Sequence, residues 1–269
     1  MVKDRGLPRS VDAADGLPDS LPMEPGALIE MFGDVCEEIT RAVNPIRGAE
    51  RRARTNRPGQ YAIDLVADHA ALEVFDGRDL TIVSEESGVS GMPNARITVV
   101  IDPIDGSSNA SRDIPYWATS LCALDQDGPL VAMVVNHATC VVNTAVRGQG
   151  AFRDDEKLTA TDVTRVENAF VALSSFPSRM LQWKQFRALG SCALALCDVA
   201  AGVFDGYLDS ASVHAPWDYL GGYLICEEAG AHVIDVQERP LGISDPNARR
   251  HLVAAGTPQL LSALRSAAG

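Results

Sequence analysis

The stretch at residues 99–109, VVIDPIDGSSN, limits the possible folds of this chain more than any other stretch. It opens with three β-branched residues, which favour a buried strand. Pro103 follows, and because proline has no backbone N–H to donate, it ends a regular strand ladder. The stretch therefore predicts a buried strand whose carboxyl end presents two acids, Asp102 and Asp105, on a tight turn.

The same turn continues with residues that suit an anion. Gly106 lets the backbone approach a ligand closely, and Ser107 and Ser108 add N–H and O–H donors beside the acids. Carboxylates attract cations, whereas backbone N–H groups bind phosphate oxygens. The combination predicts a phosphate site bridged by metal ions.

The overall charge argues against two classes of partner. The 269 residues include 23 basic and 36 acidic side chains, for a net charge of −13. A chain this acidic is not expected to bind nucleic acid or an anionic membrane, although bound metal ions would still allow a phosphorylated substrate.

Targeting signals and disulfides are not predicted. No apolar run approaches the roughly 20 residues that cross a bilayer, and no signal-peptide core is found near the N-terminus. The six cysteines form no CxxC pair and lie mostly in apolar runs, so they are expected to be buried free thiols. We therefore expect a cytoplasmic protein.

The chain divides into three parts. Residues 1–25, rich in Pro, Gly and Asp, predict a mobile tail. Residues 26–165 predict an α+β half that carries the metal-binding loop and an antiparallel meander, and residues 166–269 predict an α/β half. The basic run at residues 47–57 is expected to be a solvated helix end or loop, with a basic flap over substrate phosphate as the alternative.

Further acids flank the central turn in sequence. Asp64 and Asp68 are spaced i, i+4 on one face of a helix predicted over residues 61–75, and by themselves they suggest an exposed acidic edge. Glu85 follows a short predicted strand, so two neighbouring strands that both end in acids would bring Glu85, Asp102 and Asp105 to one point.

Asp218 lies in the first turn of a helix that is predicted to start at Pro216. An acid at that position stabilises the helix dipole by about 0.3–1 kcal/mol. Taken alone, Asp218 is therefore explained equally well as a helix cap or as a ligand.

Three motifs in series resemble the inositol monophosphatase family of lithium-sensitive, metal-dependent phosphatases, whose superfamily includes fructose-1,6-bisphosphatase. They are SEES at residues 84–87, DPIDGSSN at 102–109 and PWDYLGGYLICEEAGA at 216–231. The resemblance covers residues 26–245. It implies an α+β fold with layers in the order αβαβα, a homodimer, and hydrolysis of a small phosphomonoester such as inositol monophosphate or a related polyol or sugar phosphate.

The resemblance also implies two or three Mg²⁺ ions. Glu85, Asp102 and the carbonyl of Ile104 would hold the first ion; Asp102, Asp105 and Asp218 would hold the second; and Glu85 with water would hold a weaker third. Mg²⁺ prefers carboxylate oxygen, and clustered carboxylates need cations to remain ionised together. A metal-activated water would then attack phosphorus.

Catalytic and substrate positions follow from the same resemblance. Ser107 stands where the family usually has threonine, and it would orient the attacking water with help from Glu85 and an aspartate. Substrate contacts are implied for Asp105, Gly106, Ser107, Gly190, Cys192, Asp209 and Asp218.

Two departures from the family pattern affect these assignments. In the family, an aspartate that supports the attacking water lies six residues after the position that matches Asp64, and in this chain that residue is Ala70. A two-residue deletion would place Asp68 in this role, and Asp64 is the alternative. The acid that contacts substrate hydroxyls is usually glutamate, whereas this chain has Asp209. A catalytically weak regulatory or binding paralogue that keeps the metal site is the alternative function.

Overall fold

A computed structural model describes residues 23–268 of the chain. Most of the predicted tail therefore lies outside the described residues. Its helices are α1 (Pro25–Val43), α2 (Gly48–Arg51), α3 (Ala62–Phe75), α4 (Ser107–Ala110), α5 (Cys192–Ala200), α6 (Pro216–Glu228) and α7 (Pro258–Ala268).

The strands form two sheets. The first sheet contains β1 (Leu80–Ser84), β2 (Gly88–Gly91), β3 (Ile97–Asp105), β4 (Ala118–Asp125), β5 (Gly128–Asn136), β6 (Val141–Val146), β7 (Gly150–Arg153) and β8 (Glu156–Lys157). The second contains β9 (Phe170–Leu173), β10 (Gln185–Arg187), β11 (Gly206–Leu208), β12 (His232–Asp235) and β13 (Leu252–Ala255).

The large sheet has the order β2-β1-β3-β4-β5-β6-β7-β8. Strands β4, β5 and β6 pair antiparallel in succession, which confirms the predicted meander. Pro103 does not end β3 as the sequence suggested: the strand continues to Asp105, with a register shift against β4 between Asp102 and Asp105. The proline breaks the ladder only locally, as in a bulge, and pairing resumes beyond it.

The small sheet has the order β10-β9-β11-β13-β12. Strand β9 pairs parallel to both β10 and β11, whereas β13 pairs antiparallel to β11 and β12. The carboxyl end of β11 leads, through residues 209–215, into helix α6 and thus into Asp218.

Helices cover both sheets and fill the space between them. α1 and α3 pack on one face of the large sheet, α5 and α6 lie between the sheets, and α7 packs on the outer face of the small sheet. The layers therefore follow the order αβαβα, which confirms the predicted fold.

Helix α6 is held closely on two sides, and this fixes the position of its first turn. A Cβ atom on Gly222 would lie 2.6 Å from Leu196 Cβ of α5, and one on Gly221 would lie 2.8 Å from Ser120 Oγ of β4. Both distances are shorter than van der Waals contact, so only glycine allows the helix to approach its neighbours this closely.

The cysteine prediction is confirmed at all but one position. All six thiols are free, and all are buried except Cys140, which is exposed. Among residues 23–268, no helix combines the length and the apolar composition needed to cross a membrane.

Candidate metal and phosphate site

Three predicted carboxylates meet at one point. Glu85, Asp102 and Asp218 each offer an oxygen, and the three oxygens lie within 4.8 Å of one another. Glu85 follows β1, Asp102 lies in the adjacent parallel strand β3, and Asp218 is in the first turn of α6. Parallel neighbours end at the same sheet edge, which explains how the first two acids converge.

The three carboxylates of this cluster oppose one another's ionisation. Burial, reinforced by the charge of Asp218, raises the pKa of Glu85 to about 8. Burial and the charge of Glu85 also raise the pKa of Asp102 well above its usual value. Three acids this close cannot all be ionised unless a positive charge offsets their repulsion. Their hard oxygen donors fit Mg²⁺.

Asp105 lies beside this cluster and faces helix α5. Its Oδ2 accepts hydrogen bonds from Ser191 Oγ at 2.5 Å and from the Ala193 N–H at 2.7 Å. Burial raises its pKa to about 6, although the Ser191 bond opposes the change. The charge of Asp218 acts in the same direction as burial, so Asp105 adjoins the cluster electrostatically.

The Ile104 carbonyl, the predicted backbone ligand, accepts the Ser107 hydroxyl at 3.0 Å. A carbonyl oxygen has two lone pairs, so this bond leaves one for a metal ion. Ser107 is the first residue of α4, where backbone N–H groups have no intrahelical partner and are available to an anion.

The turn before α4 is fixed against the loop that precedes α5. Gly106 has φ +93°, and a Cβ there would lie 3.1 Å from the carbonyl oxygens of both Gly190 and Tyr116. The Asn109 amide donates to the carbonyls of Tyr116 at 2.7 Å and Leu189 at 2.6 Å. The anion-binding turn and the predicted leaving-group loop therefore lie against each other.

The acid pair of α3 is buried rather than exposed, so the expected acidic edge is wrong. Asp64 accepts the Tyr61 N–H through Oδ2 at 2.8 Å, whereas its buried Oδ1 has no hydrogen-bond partner among the residues that the structure describes. Burial raises the pKa of Asp64 to about 7, while the nearby Ser107 hydroxyl acts to lower it. Asp64 thus has a free oxygen beside the turn.

Asp68 has other partners. Its Oδ1 accepts the hydroxyls of Ser84 at 2.5 Å and Ser87 at 3.3 Å. These two serines flank Glu85 in the chain. Asp68 therefore secures the segment that carries Glu85.

A pocket of about 200 Å³ adjoins the turn. Gly190 and Cys192 line it, together with Asp105, Tyr207 and His214. The sequence reasoning did not identify His214, whose Nε2 lies 2.8 Å from Tyr207 Oη and whose Nδ1 lies 3.5 Å from Asp218 Oδ2. Its position four residues before a predicted ligand was the only available signal.

Asp209 does not line this pocket. It is fully buried, and Oδ1 accepts Ser174 Oγ at 2.6 Å and the Ala211 N–H at 2.9 Å, while Oδ2 accepts the Ser212 N–H at 3.0 Å. These bonds hold the carboxylate inside the turn that follows β11. Asp209 thus stabilises a turn.

The basic run contributes to the site at two residues. Arg57 donates to the Glu85 carbonyl and to Glu86 Oε2, each at 3.2 Å, so it lies at the rim. Arg51 is 4% exposed and donates from Nε to the Ala110 carbonyl at 2.6 Å, at the end of α4. The expected solvation of the whole run is therefore wrong for Arg51, because tertiary packing brings carbonyl acceptors to it.

Comparison with known proteins agrees with this geometry. The model of the inositol monophosphatase family matches residues 65–268. A fructose-1,6-bisphosphatase/inositol-1-monophosphatase of Methanothermobacter thermautotrophicus is 32% identical over 84% of this chain and 91% of its own. A Nus factor SuhB of Pasteurella multocida is 35% identical over 64% of this chain and 70% of its own.

Solved structures agree as well. A Pyrococcus horikoshii protein with similarities to inositol-1 monophosphatase superposes with a TM-score of 0.82 at 23% identity, covering 91% of this chain and 99% of its own. An inositol monophosphatase–fructose 1,6-bisphosphatase superposes with a TM-score of 0.79 at 27% identity, covering 88% and 98%. On the family match and the identity to its relatives, the chain belongs to the inositol monophosphatase family.

Proposed function

We propose that this protein hydrolyses a small phosphomonoester, inositol monophosphate or a related polyol or sugar phosphate, with Mg²⁺ as its cofactor. The observation that carries the proposal is the group formed by the buried Asp102 with the half-buried Glu85 and Asp218, whose oxygens lie within 4.8 Å of one another. Relatives named fructose-1,6-bisphosphatase/inositol-1-monophosphatase support phosphatase chemistry on sugar phosphates.

The carboxylates would hold the ions as the motif series implies. Glu85, Asp102 and Asp218 form the main site, and Asp105, whose pKa responds to the charge of Asp218, would contribute to a second. When bound, Mg²⁺ would lower the pKa of a coordinated water and offset the charge of the phosphate.

We assign the water-orienting role to Asp64 rather than to Asp68. Asp64 Oδ1 is buried and has no hydrogen-bond partner within residues 23–268, and the Ser107 hydroxyl influences the same carboxylate, so Oδ1 is available to accept a proton from an attacking water. Its pKa of about 7 suits a base that works near neutral pH. Asp68 is occupied by two serine hydroxyls.

Substrate contacts fall into two groups. The N–H groups of Gly106 and Ser107 would bind phosphate oxygens. The alcohol would enter the pocket lined by Gly190, Cys192 and His214, and His214 would replace Asp209 as its polar contact because Asp209 is held in the turn.

The remaining properties are proposed by family resemblance. We expect a cytoplasmic homodimer that millimolar Li⁺ inhibits by occupying the second metal position. The alternative, a regulatory or binding paralogue, finds support in relatives named Nus factor SuhB. The buried Asp64 beside the metal-binding turn, which the proposal uses to orient the attacking water, favours the enzyme.

The test is phosphate release from p-nitrophenyl phosphate, inositol 1-phosphate and fructose 1,6-bisphosphate, with Mg²⁺ and with EDTA. We expect Mg²⁺-dependent turnover, a loss of about 100-fold or more in kcat for Asp64→Asn, and a change below about tenfold for Asp68→Asn. Absence of phosphate release from the whole panel would contradict the enzyme proposal, and equal losses in the two variants would contradict the choice of Asp64.

A further inference from the structure

A histidine outside the carboxylate group is buried among polar side chains. His137 follows β5, and its ring stacks on Trp117 with centroids 4.9 Å apart. Its Nδ1 lies 2.8 Å from Thr40 Oγ1 of α1, and its Nε2 lies 2.7 Å from Thr119 Oγ1 of β4. Burial lowers the pKa of His137 to about 4, so the ring is neutral at physiological pH.

The two threonine hydroxyls each face a carbonyl as well. Thr40 Oγ1 lies 2.8 Å from the Cys36 carbonyl, and Thr119 Oγ1 lies 2.8 Å from the Pro103 carbonyl. The four contacts would need four protons, whereas two hydroxyls and one neutral imidazole carry only three. One hydroxyl must therefore turn from its carbonyl to the imidazole.

The surroundings decide which hydroxyl turns. The Cys36 carbonyl lies within α1, where it already accepts the backbone N–H of Thr40, so it can lose the hydroxyl at little cost. Pro103 lies where the register of β3 against β4 shifts, and a bulge interrupts the regular ladder bonds. The favoured arrangement has Thr40 donating to Nδ1, Nε2–H donating to Thr119, and Thr119 donating to the Pro103 carbonyl.

We infer that His137 is a positioning residue for the metal site, acting in its Nε2–H tautomer through Thr119 on the Pro103 carbonyl. Pro103 stands between the ligands Asp102 and Ile104, so the carbonyl that Thr119 holds belongs to the metal-binding turn itself. This inference rests on the proposed Mg²⁺ function of that turn.

A second contact supports the far side of the same turn. The guanidinium of Arg51 lies over the ring of Trp117 at 5.5 Å, and Arg51 Nε donates to the Ala110 carbonyl at 2.6 Å. Thr119 therefore contacts the turn at Pro103, between Asp102 and Ile104, and Arg51 contacts its far side at the end of α4.

Matched threonine variants test the inference. Thr119→Val keeps the side-chain shape and removes the hydroxyl, so we expect Mg²⁺ affinity, measured by titration calorimetry, to fall about five- to tenfold, as for one lost hydrogen bond. Thr119→Ser keeps the hydroxyl and should restore affinity to within about twofold of wild type. Thr40→Val should lower it by less than Thr119→Val does, because it removes only the donor to Nδ1 and leaves the Thr119 hydroxyl on the Pro103 carbonyl.

Two further measurements separate positioning from general stability. Nitrogen-15 NMR of the His137 ring should show a neutral Nε2–H tautomer. His137→Phe, which keeps the stack on Trp117, should weaken Mg²⁺ binding by less than Thr119→Val does, because the Thr119 hydroxyl remains but is no longer oriented by the ring. Thermal unfolding in EDTA identifies any variant that is destabilised as a whole. Should His137→Phe fail to fold, the threonine variants decide the question.

The outcomes are distinct. An Nδ1–H tautomer, or Mg²⁺ binding that is unchanged in Thr119→Val while wild type binds normally, overturns the role of His137 and leaves the proposed function intact. Wild-type protein that binds no Mg²⁺ refutes the proposed function and, with it, any role of His137 in metal affinity.

Discussion

Neutralising one carboxylate of the metal group should stabilise the metal-free protein. Asp102 is buried beside Glu85 and Asp218, and all three oxygens lie within 4.8 Å of one another. In Asp102→Asn the side chain keeps its shape, and its Oδ1 can still accept the Ile104 N–H, as it does at 2.9 Å in the wild type. The substitution therefore removes charge with little change in packing.

The structure sets the size of the effect. Two unit charges 4.8 Å apart repel by about 3.5 kcal/mol at an effective dielectric constant of about 20. This repulsion is reduced because Glu85 and Asp218 are partly exposed to solvent. It is reduced further because Glu85 and Asp102 share a proton. We expect Asp102→Asn to raise the free energy of unfolding in EDTA by about 2–3 kcal/mol at pH 8.

The raised pKa of Glu85 determines the direction in which stability changes with pH. The folded-state pKa of Glu85 is raised to about 8, so the folded protein retains a proton that the unfolded chain has released. Stability is therefore fully present below the ordinary glutamate pKa and is lost as pH rises to 8. This loss should be shallower in Asp102→Asn, and the two proteins should converge below about pH 4, where these acids are protonated in the unfolded chain as well.

The assay is urea unfolding in EDTA and in Mg²⁺ over this pH range. Mg²⁺ should stabilise the wild type and have little effect on Asp102→Asn. Asp235→Asn is the matched control: although burial alone would raise the pKa of Asp235, the Arg239 guanidinium holds it well below its usual range, so this variant should lose stability at pH 8 in both conditions. An Asp102→Asn protein no more stable than wild type at pH 8 in EDTA would refute the reasoning.

Two more variants probe the surroundings of the site. His214→Asn should raise KM for inositol 1-phosphate about fivefold more than KM for p-nitrophenyl phosphate, because the aromatic alcohol needs no polar contact from the pocket. Equal changes in the two KM values would exclude His214 from alcohol recognition. Arg51→Met should lower the free energy of unfolding by about 2–4 kcal/mol, because the buried guanidinium donates to the carbonyls of Ala110, Ile46 and Val43. A loss below about 0.5 kcal/mol in urea unfolding would contradict that role.

The pair Asp64 and Asp68 shows where sequence reasoning reached its limit. Helical spacing correctly placed both acids on one face of α3, but it could not say what that face meets. The answer depends on β1, which brings Ser84 to Asp68, and on the turn after β3, which brings Ser107 towards Asp64. These partners are 16 and 43 residues away along the chain.

Asp209 and His214 show the same limit. The family resemblance implied a substrate contact at Asp209, yet in the structure the N–H groups of the loop before α6 bind that carboxylate. The same loop directs His214 into the pocket. Loop conformation depends on a few local hydrogen bonds, which residue patterns predict poorly.

The sequence by itself determined the family and the acids of the turn at residues 99–109, because a dense motif leaves a local signal, and the layered αβαβα architecture followed from the family resemblance. Only the tertiary structure decided which acids share a point, since that depends on strand register and on the close packing of α6. It also decided which buried groups have a partner, as Asp64, Arg51 and His137 show. Burial and long-range contacts set the pKa of each acid, and neither quantity is present in any short stretch of sequence.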